Sequence, residues 1–142
     1  MQIPNSFLNL FEESSRINEM YIGHDLLTCA ERGQLDKVKH FVEQGADIHE
    51  NDDEVLMMSI MHNKFDVVEY LIEHGANIHA RDESALWLSV VFGNLRMVKY
   101  LVEHGADVHT DDENALDVSM QNGHLDVVEY INNLRNGKLC IE

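Results

Sequence analysis

The sequence predicts an all-α solenoid of stacked helix–turn–helix units, and three observations support this prediction. A five-residue phrase recurs at a constant step of 30 residues, as Gly45-Ala46-Asp47-Ile48-His49, Gly75-Ala76-Asn77-Ile78-His79 and Gly105-Ala106-Asp107-Val108-His109. Between the copies, apolar residues recur at helical spacing. The chain has one proline, Pro4, and proline interrupts helix interiors. Units of this length cannot bury a core alone, so they stack on one another.

The first helix of each unit, which we call helix A, begins after a pair of acidic residues. Asp52, Asp82 and Asp112 share one column of the repeat and are predicted N-caps, because aspartate accepts hydrogen bonds from the first free amides of a helix. The next column is also acidic, which suits the positive end of the helix dipole. One buried stripe then follows, formed by Leu56, Ser59, Ile60, Leu86, Ser89, Val90, Leu116, Ser119 and Met120.

The second helix, helix B, follows a residue type that allows a left-handed end to helix A, and it ends at the glycine of the repeated phrase. The residues at the end of helix A are Asn63, Gly93 and Gly123, with Gly33 in an earlier and partial copy. The apolar columns of helix B are Phe65, Leu95 and Leu125, then Val68, Val98 and Val128, then Leu71, Leu101 and Ile131. Each unit is therefore predicted to be a pair of short antiparallel helices.

Four units are predicted, at about residues 23–49, 50–79, 80–109 and 110–134. Residues 1–22 carry apolar side chains that suggest one amphipathic helix, so we expect an N-terminal capping helix over the open end of the stack. Residues 135–142 are expected to form a short C-terminal tail.

The charge of the chain narrows the class of partner. The 142 residues include 26 acidic and 10 basic side chains, which gives a formal net charge of −16. This charge argues against nucleic acid and anionic membrane surfaces, because both attract Lys and Arg. Two interpretations stay open: the charge serves solubility, or a protein partner carries a basic face.

The cysteines and the apolar segments indicate the compartment. Cys29 and Cys140 are too few for a disulfide framework and are not at metal-ligand spacing. No basic region followed by an apolar run stands at the N-terminus, and the apolar stretch 85–92 is far shorter than a membrane span. The sequence therefore predicts a soluble, cytoplasmic protein.

Helix B and the turn after it resemble an ankyrin repeat. The stretch from Gly93 to Val108 is similar to that family's pattern, and the pattern recurs at 63–78, at 123–131 and more loosely at 33–48. The resemblance covers about residues 23–134 in four phased copies. It implies an ankyrin-repeat solenoid that acts as a non-enzymatic adaptor for protein–protein interaction.

The chain departs from the family in helix A and in the length of its period. The family opens helix A with Thr-Pro-Leu-His and has a period of about 33 residues. Here Ser84-Ala85-Leu86-Trp87 stands at that place, and the step is 30. The missing residues fall where the family carries β-hairpin fingers, so we expect shortened or absent fingers. This short period is most similar to the ankyrin sets of giant DNA viruses, which implies a viral protein in the host cytoplasm.

The nine histidines of the chain do not indicate a metal site. His49, His79 and His109 share a column, but neighbouring helices lie about 8–10 Å apart, whereas zinc ligands lie about 2 Å from their ion. We expect these histidines to stabilise turns and helix ends. No catalytic motif is present, and the acidic pairs stand where helices begin, so we predict no enzyme activity, no metal and no cofactor.

The units differ most near the end of helix A, where packing does not dictate the residue. The resemblance places two such positions on the concave groove that ankyrin proteins use for partners. The middle two units are apolar there and the outer two are polar, which is the anatomy of an interface. The predicted partner-binding residues are Met57, Met61, His62, Trp87, Val91, Phe92, Gln121 and Asn122, and the predicted acidic rim is Glu54, Asp82, Glu83 and Glu113.

Two functions are compatible with this patch. The leading prediction is an adaptor that binds another protein through the helix-A face. The alternative is a structural protein whose apolar groove forms a homo-oligomer, so a monomer and a weak homodimer both stay open. For Met57 and Trp87 a second interpretation is that they pack between units, where the family has a largely buried histidine.

Overall fold

The computed structural model describes residues 26–110 and 113–137 and is helical, with no strand in those residues. The predicted N-terminal helix at 1–22 and most of the predicted tail lie outside the described residues. The helices are α1 (26–32), α2 (Leu35–Glu43), α3 (Glu50–Met61), α4 (Phe65–Glu73), α5 (Ala80–Val91), α6 (Leu95–Glu103), α7 (Glu113–Gln121) and α8 (Leu125–Arg135). The predicted all-α class is confirmed.

The helices form two layers, with helix A of each unit in one layer and helix B in the other. In the helix-A layer α3 packs against α5 and α5 against α7, while in the helix-B layer α2 contacts α4 and α6 contacts α8. The predicted stripes of the second and third units meet between the layers, where Leu56, Leu86 and Val98 are fully buried. In the fourth unit the prediction is wrong for Met120 and Leu125, which are 52% and 64% exposed. Two of the stripe serines turn their hydroxyls back onto their own helix: Ser59 donates to the Val55 carbonyl at 2.7 Å and Ser89 to the Ala85 carbonyl at 2.9 Å.

The predicted left-handed ends of helix A are confirmed, and one of them also allows close contact between units. Asn63, Gly93 and Gly123 have φ values of 58°, 71° and 82°. Only in the second unit is this residue not a glycine, and there the Asn63 side-chain oxygen accepts a hydrogen bond from Asn94. At Gly93 a Cβ would fall on the imidazole ring of His124, whereas at Gly123 it would meet nothing within 4 Å.

We expect Gly93→Ala to lower the free energy of unfolding by about 2–4 kcal/mol, because it adds a steric clash to left-handed strain. Gly123→Ala is the matched control, since it carries only the strain and should cost about 1 kcal/mol. Urea unfolding of both variants measures the difference. Equal losses would show that His124 does not press on Gly93.

The connection between the repeated phrase and helix A is one left-handed turn instead of a hairpin. Asn51, Asp52 and Asp53 have φ values of 53°, 55° and 58°, and Arg81, Asp82 and Glu83 repeat the same conformation 30 residues later. The expected shortening of the fingers is therefore confirmed. The prediction that Asp52 and Asp82 are N-caps is wrong, because both lie inside this turn and an N-cap adopts an extended backbone.

The second acidic column makes a contact that links successive turns of the stack. The Asp53 carboxylate is buried, and its Oδ1 accepts hydrogen bonds from His49 Nδ1 at 3.0 Å and, at 2.8 Å, from the backbone N–H of Asn77 in the turn that ends the same unit. Glu83 repeats the arrangement with the His79 ring and with the Asp107 N–H at 3.2 Å. We call this arrangement the carboxylate ladder.

The repeated phrase orients the histidine that the ladder uses. In each copy the residue after Gly-Ala accepts a hydrogen bond from the backbone N–H of the histidine: Asp47 from His49 at 2.9 Å, Asn77 from His79 at 3.0 Å and Asp107 from His109 at 2.8 Å. Such a side-chain turn needs Asp or Asn, which explains why that column holds nothing else. The histidines therefore stabilise turns, as predicted.

Asp53→Asn should destabilise the protein by about 1.5–3 kcal/mol, because it removes the buried charged acceptor of two hydrogen bonds. Asp52→Asn makes the same chemical change one residue earlier at an exposed position and should stay within about 0.5 kcal/mol of wild type. Both changes suit the left-handed backbone, which asparagine tolerates. Chemical denaturation measures the free energy of unfolding of both variants. Similar values would show that the carboxylate ladder does not stabilise the fold.

Candidate protein-binding groove

A shallow apolar depression lies on the helix-A layer between α5 and α7. It has a volume of about 290 Å³ and is lined by Ser84, Trp87, Leu88, Val91, Asn114, Ala115 and Val118. Helical spacing explains the set, since positions i, i+3, i+4 and i+7 of a helix share one face. The buried stripe of each helix points into the core, and this second face points away from it.

Trp87 is held rigidly in the wall of this depression and is only 4% exposed. Its Nε1–H donates to the Thr110 hydroxyl at 2.9 Å, and the Arg135 guanidinium lies 5.4 Å from the ring centre. Arg135 in turn donates to the carbonyls of Val108 at 2.7 Å and Thr110 at 3.0 Å. The indole therefore fastens the third unit to the turn that begins the fourth.

Met57 occupies the equivalent position in the second unit and is also 4% exposed. The sequence predicts Met57 and Trp87 as partner contacts, but the structure places both side chains between units, in agreement with the second interpretation. We therefore treat them as packing residues that support the surface.

The remaining predicted contact residues are accessible. Met61 and Phe92 are exposed, Phe92 by 51%, and Val91 is partly buried in the wall of the depression. His62, Gln121 and Asn122 are exposed as well. The ring of His62 bonds to the Met58 carbonyl at 3.0 Å through Nδ1, and its Nε2 lies 3.4 Å from a Glu31 carboxylate oxygen.

A further apolar column belongs to this surface and was missed by the sequence reasoning. Met58 and Leu88 are partly buried, and Val118 is 39% exposed, at one position of three successive units. The signal was present, because this column is apolar in all three units without belonging to the buried stripe. We define the apolar groove as Met58, Met61, Leu88, Val91, Phe92 and Val118.

The acidic rim is smaller than predicted. Glu54 is partly buried and Asp82 is exposed, but Glu83 is buried in the carboxylate ladder and is not a rim residue. The side chain of Glu113 lies outside the described residues. Asp117 is exposed in the fourth unit, at the position that Met57 and Trp87 occupy in the second and third.

The opposite, helix-B surface carries the groups whose pKa is shifted. Burial raises the pKa of Tyr100 above its ordinary value of 10.0, and the Glu69 and Glu73 carboxylates raise it further. Tyr70 and Tyr130 shift in the same direction, again chiefly through burial. These shifts have structural causes, and they do not fall on groove residues.

A comparison with known protein families agrees with this geometry. A family profile described as ankyrin repeats (three copies) matches residues 26–112 and 80–138, which together span more than half of the chain. The chain belongs to the ankyrin-repeat family. No curated protein matches the sequence.

Ankyrin repeats generally mediate protein–protein interaction, and proteins built from them are typically non-enzymatic. Among the described residues no group of three or more His, Cys, Asp and Glu side chains could hold a metal ion. Within the same residues, each helix is too short or too polar to cross a membrane.

Tyr100→Phe should leave stability at neutral pH almost unchanged, because the buried Tyr100 hydroxyl has no hydrogen-bond partner among the described residues. Since the folded pKa is raised, the wild-type tyrosine keeps its stabilising effect below about pH 10 and loses it as the pH rises through the folded pKa. The variant should therefore lose less stability between about pH 9 and pH 11. Thermal melting across that range tests this, and parallel curves for the two proteins would contradict it.

Proposed function

We propose that this ankyrin-repeat protein is a non-enzymatic adaptor that binds another protein through the apolar groove. The proposal extends to the polar positions His62, Gln121 and Asn122 at the margins of the groove. The observation that carries it is the exposure of Phe92 and Val118, two large apolar side chains of the helix-A layer that leave 51% and 39% of their surface in water.

The anatomy of the surface supports a protein partner. Apolar side chains occupy the centre, and polar or acidic residues such as Asp117 and Glu54 stand around them, as in protein–protein interfaces. The depression is open and shallow, so it suits side chains of a macromolecule better than an enclosed small molecule. Rigid support by Trp87 lowers the ordering cost of binding.

We also propose a cytoplasmic site of action, on the basis of the two cysteines and the acidic composition. The viral origin and the host cytoplasm stay proposals that rest on the 30-residue period alone. A protein partner of either cellular or viral source fits the same surface.

Phe92→Asp should abolish partner capture while the fold is preserved, because half of the Phe92 side chain is already in water. Leu125→Asp is the matched control: Leu125 is 64% exposed, receives the same charge and lies on helix B, away from the groove. A pull-down compares proteins retained by wild type and by each variant. We expect Leu125→Asp to retain the wild-type set and Phe92→Asp to lose it.

Retention of the same proteins by Phe92→Asp would contradict the proposed use of the groove. Loss in Leu125→Asp alone would move the binding site to the end of the stack. Light scattering at high concentration tests for a homo-oligomer. If the wild type is a dimer and Phe92→Asp is a monomer, the groove serves self-association instead of binding another protein.

A further inference from the structure

We infer that the segment that occupies the apolar groove is a basic, amphipathic α-helix that crosses the helix-A layer. This inference rests on the proposed function and names the chemistry of the partner. Two independent observations carry it: the spacing of the apolar side chains and the distribution of charge around them.

The spacing of the groove favours a helix over an extended segment. Its apolar residues come from three successive units, with Met58, Leu88 and Val118 in one column. Packed helices lie about 8–10 Å apart. In an α-helix, residues i and i+7 lie on one face about 10.5 Å apart, which matches this step. An extended strand presents one face at steps of about 7 or 13 Å, which fits less well.

The extent of the groove fits a helix of ordinary length. Three successive units are separated by two steps of about 8–10 Å, so the apolar column spans roughly 16–20 Å. A helix with apolar residues at i, i+7 and i+14 has 15 residues and spans about 21 Å, or about four turns, close to that distance. Such a helix would place these residues over the three units, with further apolar contacts to Met61, Val91 and Phe92.

The charges around the groove favour a basic partner. Within the described residues that line the depression there is no cationic side chain. Carboxylates occupy the groove-facing positions of other units instead: Glu54 in the second unit and Asp117 in the fourth. The polar sides of a bound helix would lie beside these carboxylates, and Lys or Arg would complement them.

The described Lys and Arg side chains lie outside the lining of the depression. Arg81, in the turn before α5, donates to the Asn51 carbonyl. On the helix-B layer the Lys39 ammonium lies 5.7 Å from the Tyr70 ring centre and the Arg96 guanidinium 3.8 Å from that of Phe65. Arg135 is bound to two carbonyls on the turn side of Trp87. At the other end of the groove, Arg32 lines a separate depression with Thr28 and His40. The net charge of −16 adds a general attraction for a basic segment.

The fluorescence of Trp87 can report peptide binding, because Trp87 is the single tryptophan of the chain and lies in the wall of the depression. Three synthetic peptides without tryptophan serve as probes: a helical Leu/Lys peptide with leucine on one face, a Leu/Glu peptide with the same leucine positions, and a Leu/Lys peptide of scrambled order. Titration of wild-type protein followed by Trp87 fluorescence gives each Kd. We expect the amphipathic Leu/Lys peptide to bind at least about tenfold tighter than either of the others.

Variants of the protein test the apolar contact and the charge contact separately. Val118→Asp, which alters an exposed groove residue, should weaken binding of the Leu/Lys peptide by about tenfold or more, while Leu125→Asp should leave it nearly unchanged. Asp117→Asn should weaken it about two- to fivefold at low salt. Glu129→Gln, which removes the same charge from an exposed position on α8, should not.

Three outcomes would overturn the inference. Equal binding of the scrambled peptide would show attraction by net charge alone. Equal binding of the Leu/Lys and Leu/Glu peptides, with both lost in Val118→Asp, would leave the groove as the binding site and reject the basic partner. No fluorescence response to any peptide, in a protein whose pull-down still depends on Phe92, would reject the helix and leave the proposed function in place.

Discussion

A buried carboxylate in the turn before helix A bonds to the backbone of the turn after helix B of the same unit, and this contact fixes the spacing of successive turns in the stack. Apolar stripes alone permit neighbouring helices to slide, because burial is not directional. The hydrogen bond between the Asp53 oxygen and the Asn77 N–H is directional, and the Asp53 carboxylate is buried, so a shift that separates them would remove a partner from a buried charge. Glu83 and Asp107 repeat the constraint 30 residues later, between the turns that begin and end the third unit. The remaining features of the stack depend on this registration.

The groove is one consequence of that registration. Met58, Leu88 and Val118 align only because each unit repeats the position of the previous one, and Trp87 reaches Thr110 only when the fourth unit starts where the ladder places it. The left-handed turn contributes in a second way. It is short, so the acidic loop edge does not extend into fingers beside the helix-A layer. The proposed recognition through the helix faces agrees with this short turn.

Much of this fold could be predicted from the sequence, because buried stripes and helix ends each require particular types of residue. The apolar columns and the left-handed residues at Gly93 and Gly123 were predicted in place. The role of Asp53 was not, since its partner is a backbone N–H 24 residues away, and a backbone group has no sequence signature. The groove was predicted in part: Phe92 was found from variability between units, whereas Trp87 was assigned to the surface because an indole suits both an interface and a core.

One repeat position, held by Met57, Trp87 and Asp117, shows how burial determines the residue type. In the second and third units the following unit covers this position, and the residue is large and apolar. In the fourth unit it is exposed, and the residue is an aspartate, as burial predicts. Val118 stands next to it and is exposed too, yet it stays apolar. Exposure accounts for the aspartate, whereas Val118 lines the depression and still leaves 39% of its surface in water. An apolar side chain kept on a surface where its neighbour has become charged is what a binding contact requires.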